Sequence, residues 1–261
     1  MPFFYWFKLL TMTFQLIKKS ALISLSLSFL FVLNGLSQSQ ELPLFEKILV
    51  SPNINLVLEK GNKEAIRFES IGIKEEKIKF EIKGKRLRIY LDGAKVFPKN
   101  KKIKNGGWKQ KMNIYEGVSV TAYVTYKTLR KLEFRGEEKA VCKTLIEAKK
   151  FVVKVYGEGE VKLAFVETTK LKANLKGENR LRIESGNAYK QVYKSFGENI
   201  VKTENLLSQK TKVKSYGEGR LAFNSSEKVK VTSFGEVDIR YEGTAKLKKG
   251  IILGESDIRK N

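Results

Sequence analysis

Glycine followed by glutamate recurs seven times in the second half of the chain: Gly136-Glu137, Gly157-Glu158, Gly177-Glu178, Gly197-Glu198, Gly217-Glu218, Gly235-Glu236 and Gly254-Glu255. The steps are 21, 20, 20, 20, 18 and 19 residues. The flanks repeat as well. Val153-Lys-Val-Tyr-Gly-Glu-Gly159 is echoed by Val213-Lys-Ser-Tyr-Gly-Glu-Gly219, and Tyr193-Lys-Ser-Phe-Gly-Glu198 by Val231-Thr-Ser-Phe-Gly-Glu236. A steady period of this length is the mark of stacked structural repeats, and it limits the fold more than any other feature of the chain.

Apolar residues keep a fixed phase to each glycine. Four residues after it stand Val161, Leu181, Val201, Leu221, Ile239 and Ile258. Six after it stand Leu163, Ile183, Thr203, Phe223 and Tyr241, and four before it Leu132, Val153, Ala173, Tyr193, Val213 and Val231. Alternation of period two predicts strands with one buried face. A unit of two short strands around a glycine cannot bury that face alone, whereas a stack of such units can. The expected fold class is therefore all-β: a right-handed parallel β-helix (solenoid) of about six to seven rungs, its hand taken from the general rule for parallel crossovers. Residues 44–92 lack the period and read as several short strands with turns at 59–62 and 83–85. They predict an N-terminal β-strand cap that protects the end of the stack. The organisation expected is a signal peptide over 1–37, the cap with a basic loop (94–111) over 38–127, and solenoid repeats over 128–261.

Residues 1–37 contain no acid and only Lys8, Lys18 and Lys19 as bases. An apolar run from Ala21 to Leu33 follows the lysine pair, and Gly35 and Ser37 place small residues before Gln38. This is the layout of a secretory signal peptide, and the run is too short to span a bilayer. The expectation is an exported protein of the periplasm or cell surface, with no transmembrane segment once the signal is removed. The whole chain carries 51 Lys+Arg against 28 Asp+Glu, a net charge of +23. Loss of the signal leaves +20, which points to partners of negative charge. An exported address argues against nucleic acid as that partner.

Composition also excludes chemistry. The chain has no histidine, so His-based acid–base catalysis, Ser-His triads and His-ligated metals are absent. Its lone cysteine, Cys142, can form neither an internal disulfide nor a Cys-cluster metal site and is expected as a small buried hydrophobe. Asp238 and Asp257 sit about one rung apart beside Glu236 and Glu255, but regular repetition makes structural residues whereas active sites break a repeat. The reading is of a protein that is not an enzyme and needs no cofactor.

Three patterns remain as candidates for binding. Strand parity sends the glutamates outward, Glu158, Glu198, Glu218 and Glu236 among them. One carboxylate per rung amid many lysines is a poor calcium site, so no metal is expected. The same parity sends out the residue before each glycine. Tyr156, Phe196, Tyr216 and Phe234 then form an outward aromatic ladder, suited to stacking on sugar rings with the neighbouring glutamates binding hydroxyls. An inward turn of these rings at the glycine is the alternative. The third pattern is the acid-free segment with Lys99, Lys101, Lys102, Lys104, Lys109 and Lys111, a candidate anion site.

The stretch Phe45-Glu-Lys-Ile-Leu-Val-Ser-Pro-Asn-Ile-Asn-Leu-Val-Leu-Glu-Lys-Gly61 and the later Thr128-Leu-Arg-Lys-Leu132 resemble the auto-transporter adhesin head GIN domain family of bacterial envelope proteins. The resemblance covers roughly residues 44–258. It departs in the turns, which are commonly Ser-Gly-Ser-Gly in the family and Tyr/Phe-Gly-Glu here, and in Asn53, where the family motif has glycine. The resemblance implies an exported β-helical domain and names no ligand. Together these readings give a non-catalytic, adhesin-like envelope protein that contacts anionic glycan or another anionic surface polymer. The second reading is an envelope assembly protein that forms a homo-oligomer through its aromatic ladder.

Overall fold

The computed structural model of the chain describes residues 39–94, 100–105, 108–113, 115 and 117–261, with the backbone alone over 100–113. The expected signal peptide over 1–37 lies outside the described residues. Strands dominate, and a single 3-10 turn at Glu75–Lys77 is the one helical element among the described residues. The first strands are β1 (Gln40–Glu41), β2 (Lys47–Val50), β3 (Asn55–Lys60), β4 (Ala65–Ile71), β5 (Ile78–Lys83), β6 (Arg86–Leu91), β7 (Asn100–Asn105), β8 (Trp108–Asn113), β9 (Ser119–Tyr126) and β10 (Lys131–Gly136). Long bent strands follow: β11 (Lys139–Gly157), β12 (Glu160–Gly177) and β13 (Arg180–Phe196). The chain ends with β14 (Asn199–Thr203), β15 (Leu206–Tyr216), β16 (Gly219–Asn224), β17 (Lys228–Phe234), β18 (Val237–Glu242), β19 (Lys246–Leu253) and β20 (Ser256–Lys260).

The repeats stack in register as a parallel β-solenoid. Before each glycine, β10, β11, β12, β13, β15, β17 and β19 pair in parallel, each with the next. After it, β11, β12, β13, β14, β16, β18 and β20 do the same. A third side exists only where the repeat is about 20 residues long: Ile146, Val166, Gly186 and Leu206 share one register column there. The steps of 18 and 19 residues fall where this side shrinks to turns such as 225–227.

The glycine column has a steric cause. Gly157, Gly177, Gly197, Gly217 and Gly235 all have φ between 91° and 118°, a region that L side chains rarely adopt. A Cβ on Gly177 would lie 2.1 Å from the carbonyl oxygen of Gly157 in the rung below. Every apolar column expected to face inward does so over its central rungs, and Val153, Ala173, Tyr193 and Val213 are fully buried. Thr203 is the polar exception in its column. Its hydroxyl meets the Tyr193 hydroxyl at 2.7 Å and lies 3.2 Å from the Ala222 carbonyl oxygen. Asn179 and Asn199 form a second buried polar ladder at the turn, the Asn179 Nδ2 donating to Asn199 Oδ1 at 2.9 Å. Cys142 is buried, with the Tyr126 hydroxyl 3.3 Å from its sulfur.

The N-terminal region is more than a lid. β2 lies in parallel between β10 and β6, and β3 between β11 and β9. It therefore adds strands to both ladders, and only β1, β4 and β5 run antiparallel across their end. Residues 39–261 form one unit without a break at 127. Within the segment expected as a basic loop, β7 and β8 pair as an antiparallel ribbon, with Asn105 opposite Trp108. The sequence Asn105-Gly106-Gly107 carries a hairpin turn signal that its lysines overshadow.

Candidate anion-binding face

The side of the solenoid that precedes the glycines carries an ordered array of lysines. Lys150, Lys170, Lys190, Lys210, Lys228 and Lys246 occupy one register column. Two residues along the strands, Lys172, Lys212, Lys230 and Lys248 share a second column with Val152 and Val192. A third holds Lys154, Lys194 and Lys214 with Asn174 and Thr232. Register partners in neighbouring strands are about 4.8 Å apart, and alternate residues along a strand about 6.6 Å. The lysines thus form a flat lattice.

This lattice lacks counter-charge. Segments 150–156, 170–176, 190–196, 210–216, 228–234 and 246–253 contain no Asp or Glu. Lys210 is tied at the corner, 3.3 Å from Glu227 and 2.8 Å from the Tyr189 hydroxyl. Among the described residues no carboxylate pairs with Lys172, Lys190, Lys194, Lys212 or Lys214. The side after the glycines differs. There Lys139 meets Glu160 at 3.3 Å, Lys162 meets Glu184 at 3.0 Å and Arg240 meets Asp238 at 3.2 Å. Glu133 in β10 marks the lower border of the lattice. Burial pushes its carboxyl up, but hydrogen bonds from Lys131 and Arg135 outweigh this and hold it below the usual carboxylate range.

Mutual repulsion is visible in the lysines themselves. Lys150 and then Lys170 depress the Lys172 ammonium below its ordinary value, and Lys214 leads the same effect on Lys212. A lysine depressed in the fold destabilises it while charged, and the penalty fades as pH rises through the folded pKa toward 10.5. Salt screens the same repulsion at neutral pH. The unfolding midpoint is therefore expected to rise by several degrees between about 0.01 and 0.5 M NaCl. Lys212→Gln should flatten that dependence. A midpoint that falls with salt would contradict uncompensated repulsion on this face.

The aromatic ladder borders the lattice and faces outward, as parity predicts. Its full column reads Arg135, Tyr156, Lys176, Phe196, Tyr216, Phe234 and Leu253. Phe196 and Tyr216 stack at 4.8 Å between centroids with planes 4° apart, and Tyr216 and Phe234 at 5.2 Å and 2°. The Lys176 ammonium sits 5.4 Å from the Phe196 ring, and the Arg135 guanidinium 5.4 Å from that of Tyr156. Tyr216 thus has a ring against each face, and Phe196 lies between Tyr216 and the Lys176 ammonium. Stacking of a sugar, the role expected from sequence, is obstructed on the faces of Phe196 and Tyr216. The column presents ring edges, and its geometry is that of a spine beside the lysines.

Glu158, Glu198, Glu218 and Glu236 are exposed at the turn, on the far side of this spine from the lysines. The upper ones line an open groove of about 450 Å³ with Asp238, Asp257 and Arg220. Among the described residues no acidic group forms a metal-type cluster. Of the lysines singled out in sequence, Lys99 lies outside the described residues. Lys101, Lys102 and Lys104 fall on β7, and Lys109 and Lys111 on β8. The sequence shows Lys154, Lys194 and Lys214 at a fixed position three residues before the glycines, and the longest column has its own signal: lysine recurs from 150 to 246 in steps of 20, 20, 20, 18 and 18.

A family model described as "Putative auto-transporter adhesin, head GIN domain" matches residues 44–245. Solved structures share the fold. A putative adhesin from Bacteroides fragilis superposes with a TM-score of 0.71 at 18% identity, over 86% of this chain and 96% of that one. A putative adhesin from Parabacteroides merdae gives 0.62 at 14%, over 86% and 95%. A protein from Parabacteroides distasonis described as a putative lipid binding protein gives 0.58 at 15%, over 87% and 98%. A search of curated proteins finds no match. Among the described residues no helix is long and apolar enough to cross a membrane.

Proposed function

The chain belongs to the auto-transporter adhesin head GIN domain family, and from that premise we propose that it is a non-catalytic, adhesin-like contact protein of the bacterial envelope whose partner is an anionic glycan or another anionic surface polymer. The observation that carries this reading is the acid-free lysine lattice. A fold that holds thirteen lysines on one side loses stability to their repulsion, and an anionic partner offsets that loss. The export expected from the signal-like layout of residues 1–37 fits the same reading. Self-association through the aromatic ladder has less support, because the rings already stack on one another.

Protease added to intact cells tests the adhesin-like reading, with a periplasmic protein as control. The chain should be cut while the control is spared. Protection of the chain until the outer membrane is opened would contradict a role in surface contact.

A further inference from the structure

We propose that the three lysine columns form a track for a linear polyanion bound in extended form along the solenoid axis, with successive negative charges following successive rungs. This rests on the anionic-polymer reading and deepens it: it fixes the site, the ligand's shape and its charge repeat.

The geometry of the lattice selects the ligand. The side is flat, so it has no cradle to enclose a small anion. A single phosphate or carboxylate could reach only two or three ammonium groups. Along the first column, however, a positive charge recurs about every 4.8 Å, whereas the second is interrupted at Val152 and Val192 and the third at Asn174 and Thr232. The column that begins at Lys150 continues unbroken through six rungs to Lys246. A polymer with one carboxylate, sulfate or phosphate about every 5 Å pairs with it rung by rung. Columns about 6.6 Å apart then contact the same chain from either side. The energy of such binding is additive in contacts and comes largely from released counterions. The lattice columns contain none of the large exposed apolar side chains, so nothing in them enters a bilayer. The stacked spine adds a rigid border on one edge. On the other edge Lys210 is held by Glu227 and Tyr189.

The test titrates the full chain with oligogalacturonates of defined length, which carry one carboxylate per sugar, at several salt concentrations. Affinity should climb steeply with each added unit up to about six, the length of the Lys150 column, and more slowly beyond. The triple variant Lys172→Gln, Lys190→Gln, Lys212→Gln should bind about tenfold or more weakly, with a log K against log salt slope shallower by roughly 2. Lys139→Gln, Lys162→Gln, Lys202→Gln removes equal charge from the opposite, mixed-charge side and should bind nearly as the parent does. The lattice variant relieves repulsion, so its unfolding midpoint should match or exceed the parent's, which removes misfolding as an explanation. Equal weakening by both triples would overturn the track, since binding would then follow net charge. Loss of binding in Lys101→Gln, Lys102→Gln, Lys104→Gln but not in the lattice variant would overturn the track while sparing the anionic-polymer reading. Binding to vesicles of phosphatidylglycerol without binding to any oligomer would overturn it in favour of a membrane surface. Binding to neither probe would overturn the track and the reading together.

Discussion

Replacing Gly177 by alanine lowers the unfolding midpoint by roughly 6–12 °C. The cause is double. Gly177 sits at φ 109°, and its new Cβ would fall 2.1 Å from the Gly157 carbonyl oxygen, a backbone atom that cannot swing away. Backbone strain of this kind costs up to about 3 kcal/mol before the clash is counted. In a domain of this size 1 kcal/mol moves the midpoint by about 2–4 °C. Gly84→Ala is the matched control. Gly84 is also left-handed, at φ 56°, but a Cβ there meets nothing within 4 Å. It should cost only about 1–2 kcal/mol. Thermal melts of the two variants separate strain from contact. Equal losses would mean that the rungs are not stacked glycine on glycine.

Phe223→Ala is expected to cost about 3–5 kcal/mol, the range for emptying a buried aromatic site. Phe223 is fully buried in β16, with its ring 6.0 Å from Tyr193 below and 6.2 Å from Tyr241 above. The strands around it are held by inter-rung hydrogen bonds, so the walls of the void cannot collapse far. Truncation also removes two ring contacts at once. Because each rung touches only its neighbours, the damage should spread toward the C-terminal rungs more than toward β11 and β12. Denaturant titration gives the total loss, and amide exchange gives its location. A loss under about 1 kcal/mol would mean that this internal ladder carries little of the packing.

The rungs were legible in the sequence because their spacing is a direct image of their geometry. One glycine, one inward column and one outward column per repeat follow from parity alone. That parity placed Tyr156, Phe196, Tyr216 and Phe234 outside. It could not say that three of these rings would lie flat on one another, because stacking depends on rotamers and not on register. In sequence the N-terminal strands look like a cap, because nothing periodic joins Ile48 to Leu132, its register partner. Pairing across so long a stretch leaves no repeat to find. The lysine lattice is the opposite case. Its period was written in the chain, but lysine is so common here that the ladder did not stand out from the background. Only the register shows that Lys170, Lys190 and Lys210 are neighbours in space.

Lysine-modification footprinting on isolated envelopes tests the central claim most directly. The chain is treated with an amine reagent while bound to the envelope and again after release in high salt, and each lysine is read by mass spectrometry. Lys170, Lys190 and Lys212 should be shielded on the envelope and become reactive on release, while Lys162 and Lys202 should react alike in both. Equal reactivity of the lattice lysines in the two states would contradict the account, since the face would then be free where its partner is present.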